Sequence, residues 1–183
     1  QASVEAWLTI TPDEGLDWVG QLKLSGLPFE MEGRQVPFRS VEGEIVGSAK
    51  FDGSWSVQFQ QVNMQWGNTA HPPFSLQISS TVSRQLSLHA DQLVLQYWHR
   101  WLSDSYLLPE KAQAVLDEIN PAGSLKNVHV TWPASAPEAF LLQANLSNVS
   151  VDAWTGAPAL THVDGYIESS KSQGFADLDS QDG

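Results

Sequence analysis

The sequence predicts a mainly β fold: long, bulged, twisted antiparallel strands forming a curved sheet or open trough, with a two-helix insertion. Three observations carry this. Apolar residues alternate at period 2 along much of the 183-residue chain, the mark of strands with one apolar face. A ten-residue apolar rhythm recurs five times, each copy containing one doubled spacer. Between Tyr97 and Ile119 the spacing changes to the helical one.

The rhythm is clearest in Leu86, Leu88, Ala90, Leu93, Leu95 and in Leu142, Ala144, Leu146, Val149, Val151, offset by 56 positions. Both copies lead three residues later to a Trp, Trp98 and Trp154. Leu22, Leu24, Gly26, Phe29, Met31 has the same spacing, as does Trp55, Val57, Phe59, Val62, Met64. Leu125, Val128, Val130 is a shorter copy. A doubled spacer would turn the second half of each apolar set to the other face. A β-bulge restores the parity and adds twist, so each strand is expected to keep one continuous apolar face.

Taken in order, Val4–Ile10 and Leu16–Gly26 flank the turn sequence Pro12-Asp13-Glu14-Gly15. Phe29–Met31 is expected to continue the second strand beyond a kink at Gly26-Leu27-Pro28. Val41–Phe51 and Trp55–Trp66 flank Asp52-Gly53, a strong hairpin signal. Phe74–Val82 and Gln85–Leu95 form another hairpin, which makes residues 1–95 an antiparallel meander. Residues 96–122 are the helical insertion. Tyr97–Leu102 is a short aromatic helix, and Pro109-Glu110-Lys111 opens a second with Ala112, Val115, Leu116 and Ile119 as its stripe. Asn120-Pro121-Ala122-Gly123 stops it. Residues 123–183 return to strands of the same domain: Leu125–Trp132, Phe140–Asp152, Val163–Ser169 and Phe175–Asp179, with a loop at Ala134–Pro137.

Composition excludes several function classes. The chain has 21 acidic against 9 basic residues and a net charge of −12. Nucleic-acid binding needs basic stripes, and there are none. Docking on anionic membrane surfaces is disfavoured for the same reason. With no cysteine, disulfides and thiolate metal sites are ruled out. No apolar run approaches the length of a membrane span. The start at Gln1 and the turn-like end Asp-Ser-Gln-Asp-Gly suggest a piece excised from a longer protein.

Three stretches carry a family resemblance. They are Ile119-Asn120-Pro121-Ala122-Gly123-Ser124-Leu125-Lys126-Asn127-Val128-His129-Val130, then Leu146–Pro158 with its Trp154-Thr155-Gly156-Ala157-Pro158 turn, then Val163-Asp164-Gly165-Tyr166-Ile167-Glu168. The chain resembles the N-terminal region of the YhdP family, in the AsmA-like group of the Gram-negative envelope. The resemblance is specific over Pro109–Ser169 and looser over Gln1–Leu95. It implies a periplasmic bridge with a trough-like sheet, anchored in the inner membrane through a segment outside this sequence. Phospholipids would pass along the trough between inner and outer membranes, and so support outer-membrane lipid homeostasis and the permeability barrier. Phospholipid acyl chains are the implied partners. No catalytic residues, cofactor or metal are implied, and the expected role is non-enzymatic.

On that reading the lipid-contacting set is the repeat itself. It comprises Leu22, Leu24, Phe29 and Met31; Val57, Phe59, Val62 and Met64; and Leu86, Leu88, Leu93 and Leu95. In the second half it comprises Leu125, Val128 and Val130, with Leu142, Leu146, Val149 and Val151. Tyr97, Trp98 and Trp101 are candidates for a lid or interface. The alternatives are a closed β structural or interaction module, or a carbohydrate-binding module using exposed Trp among the eight present. Searches for catalytic sites come out weak. The five histidines share no metal-ligand spacing, and no His-Glu-x-x-His occurs. His89 and His129 fall opposite the apolar set, on a solvent face. Asp177-x-Asp179-x-Gln181-Asp182-Gly183 departs from a calcium loop, since its Gly is late and no closing Glu follows.

Overall fold

The structure, a computed structural model, describes residues 2–12, 14–26, 29–31, 34–36, 38–105, 110–136 and 138–180. The predicted turn, kink and cap positions Asp13, Leu27, Pro28, Pro109 and Pro137, and residues 181–183, lie outside them. So do the side chains of Val4, Phe29 and Met31.

The protein is mainly β. Its strands are β1 (Ala2–Thr11), β2 (Gly15–Ser25), β3 (Phe29–Met31), β4 (Arg34–Val36), β5 (Phe38–Lys50), β6 (Trp55–Trp66), β7 (Thr69–Ala70), β8 (Phe74–Ser80) and β9 (Gln85–Val94). Two helices follow, α1 (Leu95–Ser105) and α2 (Glu110–Ile119). Then come β10 (Ala122–Pro133), β11 (Leu141–Val151), β12 (Leu160–Ser170) and β13 (Gly174–Ser180). Eleven strands form one open antiparallel sheet in the order β1-β2-β5-β6-β8-β9-β10-β11-β12-β13, with β7 on the end of β6. The sheet is a meander and does not close. The observed ends lie within three residues of the predicted ones. At about 3.3 Å per residue the longest strands run roughly 40 Å.

Local chemistry fixes the connections. At the β5–β6 turn Gly53 takes φ 89°, and the Asp52 carboxylate accepts from the Ser54 N–H at 2.8 Å and its hydroxyl at 2.6 Å. Those bonds hold the Asp52 carboxyl below the usual carboxylate range. Asn120 ends α2 in the left-handed region (φ 40°), its N–H donating to the Leu116 carbonyl at 3.1 Å, and Pro121 blocks continuation.

Two expectations need correcting. Phe29–Met31 does not extend β2. It pairs with β4 in a separate two-stranded ribbon. Strand β2 stops at Ser25 because Gly26 turns to φ 61° and donates its N–H to the Arg39 carbonyl at 2.9 Å. Leu95 does not end β9 but begins α1. The last pair of that ladder is Val94 with Ser124. Beyond it the Gln96 amide oxygen takes the Gly123 N–H at 3.2 Å, so Gly123 makes this bond to a helix residue's side chain.

Candidate functional site

Three of the five doubled spacers are bulges, and β12 adds a fourth bulge. Gln61, Asn127, Asn148 and His162 adopt φ of 50°, 50°, 53° and 54°, inside strands where L residues seldom do so. Register shifts locate one extra residue beside each: between Phe59 and Val62, between Lys126 and His129, between Leu146 and Val149, and opposite Val149 and Val151 on β12. Each of the four is followed by a buried valine. Val62, Val128, Val149 and Val163 are 7%, 2%, 7% and 4% exposed. The left-handed residue absorbs the parity change and returns the next side chain to the apolar face.

A bulge frees backbone N–H groups from the ladder, and an unpaired donor is expensive. Neighbouring strands supply acceptors. The Ser75 hydroxyl takes the Gln61 N–H at 3.4 Å, the Asp164 carboxylate takes the Asn148 N–H at 2.9 Å, and the Ser150 hydroxyl takes the His162 N–H at 3.0 Å. Asn148 Oδ1 and His162 Nδ1 also meet at 2.7 Å. The spacer Asp91-Gln92 in β9 lies opposite Lys126-Asn127 in β10, and their common ladder shows no shift. There Asp91 Oδ1 accepts from the N–H groups of Ser75 and Gln92 at 2.8 and 2.7 Å.

Directly paired residues share a face, so the register assembles the apolar surface. One row runs Trp18, Gly47, Val57, Ile78, Leu88, Val130, Leu142. Another runs Leu93, Leu125, Leu146, Gly165, Leu178. Between them lies the tightest packing, Ala90, Val128 and Ala144, bordered by Leu76, Leu93, Leu125, Val130, Leu142 and Ile167. Followed along these registers, the face carries no Asp, Glu, Lys, Arg or His among the described residues.

One end of this face is sealed by α1. Trp101 meets Trp66 at 6.0 Å and Trp98 at 5.3 Å, and Trp98 meets Phe74 at 5.2 Å, all edge to face, the arrangement that ring quadrupoles favour. His71 joins them, 5.2 Å from Tyr97 and 6.0 Å from Trp98. Burial there pushes the His71 imidazole pKa down. Helix α2 is tied to α1 through Asp117, which bonds His99 Nε2 at 2.8 Å and the Ser103 hydroxyl at 2.9 Å. Those two bonds hold the Asp117 carboxyl below its ordinary value. Helix α1 packs against β9, β10 and α2. Tyr97, Trp98 and Trp101 thus sit at the end of the face, not along it.

The whole chain, residues 1–183, matches the family model described as YhdP protein. The chain belongs to the YhdP family. That places it among the envelope proteins of the AsmA-like group. No curated protein and no solved structure matches it. The stretches that resemble the YhdP family occupy the sharpest points of the fold. Gly123 takes φ 95°, and a Cβ there would come within 2.2 Å of the Asn148 carbonyl oxygen. Gly165 takes φ 154°, and its Cβ would meet the Asp177 carbonyl oxygen at 2.2 Å. Trp154 and Ala157 exchange backbone hydrogen bonds of 3.1 and 2.8 Å around Thr155 (φ 44°) and Gly156 (φ 85°), a tight primed turn.

In this YhdP-family chain the register brings most of the predicted contact residues together. Leu22 and Leu24 pair with Gly43 and Val41, and Val41 with Met64. Phe59, Leu86 and Val151 lie on the same face as their neighbours in β6, β9 and β11. Phe29 and Met31 belong to the separate ribbon, and Leu95 to the helix. Several residues of the face were not singled out from sequence: Val41, Ile45, Leu76, Ile78, Val163 and Ile167. The signal for the last two was present, since Leu160, Val163, Gly165 and Ile167 run the rhythm in reverse. On the opposite face His89 pairs with His129, rings 6.3 Å apart. No group of three or more metal-ligating side chains occurs among the described residues. Among the described residues, no helix is long and apolar enough to cross a membrane.

Proposed function

We propose that this segment carries phospholipid acyl chains along its apolar face, as part of a periplasmic bridge between the inner and outer membranes. The observation that carries the reading is the uncharged apolar face kept continuous across the bulges. A closed β module would cover such a face, whereas this sheet is open.

Each methylene removed from water is worth about 0.8 kcal/mol, so a long acyl chain in water costs on the order of 10 kcal/mol. Leucine, valine and isoleucine side chains offer nearly the same environment as a bilayer interior. A chain on this face therefore meets little barrier and no deep well, which favours sliding over trapping. Head groups stay in water along the open side. The role needs no nucleophile, general base or metal, and in this reading the protein is not an enzyme. It resides in the periplasm, joined to the inner membrane by a segment beyond this sequence.

Native mass spectrometry of the purified protein tests the reading. Phospholipid is expected to co-purify, to be removed by delipidation, and to rebind from vesicles. A protein that emerges lipid-free and takes up none from vesicles contradicts it.

A further inference from the structure

A second surface lies on the other face of the sheet. An open groove of about 350 Å³ crosses β1, β2, β5, β6 and β8. Four strand spacings make it roughly 19 Å long. The register resolves it into two parallel rows. The first is Trp7, Val19, Val46, Gln58, Gln77, each paired with the next. The second is Thr9, Asp17, Ser48, Ser56.

The first row is apolar at one end and amide at the other. Trp7 is 61% exposed and Val19 44%, so an indole face and a branched aliphatic lie open beside the amides and hydroxyls of the groove. Such side chains are normally turned inward. The second row offers a carboxylate and hydroxyls, with the Ser48 and Ser56 oxygens 3.1 Å apart. Among the described residues, the amides of Gln58 and Gln77 and the carboxylate of Asp17 make no side-chain hydrogen bond. Their donors and acceptors are available to a ligand.

Charge narrows the occupant. The chain carries −12, yet Asp17 is the one ionisable residue lining the groove, and no Lys or Arg is present. A polyanion would find no counter-charge, and a polycation would find a single carboxylate. An acyl chain would desolvate the amides and hydroxyls without replacing their hydrogen bonds, which is unfavourable. A saccharide chain fits both rows. Its C–H faces stack on an indole and against valines, and its hydroxyls and any acetamido groups pair with amides, hydroxyls and a carboxylate.

The geometry points to this groove as a binding site for a neutral, extended oligosaccharide, with Trp7 as the stacking platform and Gln58, Gln77 and Asp17 as polar partners. The site is on the face opposite the acyl-chain surface and does not depend on it.

Titration calorimetry with the N-acetylglucosamine tetramer and with cellotetraose tests the inference. At least one tetramer is expected to bind saturably. Trp7→Ala is expected to weaken it about tenfold or more, a loss of about 1.4 kcal/mol. Gln58→Ala should weaken it several-fold, while Trp154→Ala, at an exposed Trp in a distant turn, should leave it unchanged. Circular dichroism confirms that each variant is folded, and Gln58→Ala carries the test if Trp7→Ala is not. No saturable binding of either tetramer at millimolar concentration overturns the inference. So does an affinity unchanged from that of the unsubstituted protein in both Trp7→Ala and Gln58→Ala, or a fluorescent fatty acid that binds the unsubstituted protein and is lost in Trp7→Ala.

Discussion

The two ends of the apolar face have the same alternation and different fates. Toward the helices, Val62, Ala90, Val128, Ala144, Val149 and Val163 are buried, and on the edge strand β13 an apolar residue of that end, Leu178, stays exposed. Toward the far end the pattern continues through Ile10, Leu8 and Trp55, and these are exposed. Hydrophobicity does not separate the two ends. The bulges do, because each places a valine inward beside the small residues of neighbouring strands, and α1 closes the same end with stacked indoles. A single sheet can thus be a packed core at one end and an open apolar surface at the other.

The comparison is broken most directly by matched charges. Val128→Asp puts a carboxylate at a 2% exposed position and is expected to cost about 3–5 kcal/mol or prevent folding. Ile10→Asp, at 67% exposure, should change stability by less than about 0.5 kcal/mol. Urea unfolding measures both, and similar losses would remove the distinction.

A smaller effect sharpens the role of the bulges. Asn148 holds φ 53°, which asparagine and glycine tolerate and β-branched residues do not. Asn148→Val should destabilise by about 1–3 kcal/mol. Asn148→Gly keeps the backbone, loses the His162 bond and should cost less. Equal losses in urea unfolding would mean that the side-chain bond, not the left-handed backbone, holds the bulge.

The smallest expected effect is a pH dependence confined to the sealed end. The His71 pKa is lowered in the folded protein by burial, so the unfolded chain binds its proton more readily. Its contribution to stability is complete above the ordinary histidine value of 6.5 and is lost as pH falls through the lowered folded value. Asp117 is lowered in the same sense, and its contribution disappears in more acid solution, below 3.8. His71→Phe should flatten the first of these transitions in thermal melts between pH 7.5 and 5 and leave the acid limb in place.

Much of the architecture was legible in the sequence because strand parity is a local property. A doubled spacer between apolar residues forces either a face change or a bulge, and Gln60-Gln61 and Ser147-Asn148 gave bulges. The same pattern at Leu27-Pro28 did not lead to a continued β2, because Gly26 had already taken a left-handed turn and Phe29–Met31 found another partner. Leu95 kept the apolar spacing but left the ladder, since spacing does not report where a strand's hydrogen-bond partner ends. The capture of bulge N–H groups by Ser75, Asp164 and Ser150 was invisible, because it joins residues 12 to 16 positions apart on neighbouring strands. The groove at Trp7 was hidden for a similar reason. Its rows exist only after five strands are placed in register.

The central claim is that one apolar face, continuous across a parity break, carries acyl chains. In β9 that face includes Leu88 and Leu93, on either side of the Asp91-Gln92 spacer, while His89 and Gln92 point the other way. A photocrosslinking residue placed at each of these four positions in cells, followed by detection of attached phospholipid, tests the claim. Capture at positions 88 and 93, with little or none at 89 and 92, is the predicted result. Equal capture at all four, or none at 88 and 93, would contradict it.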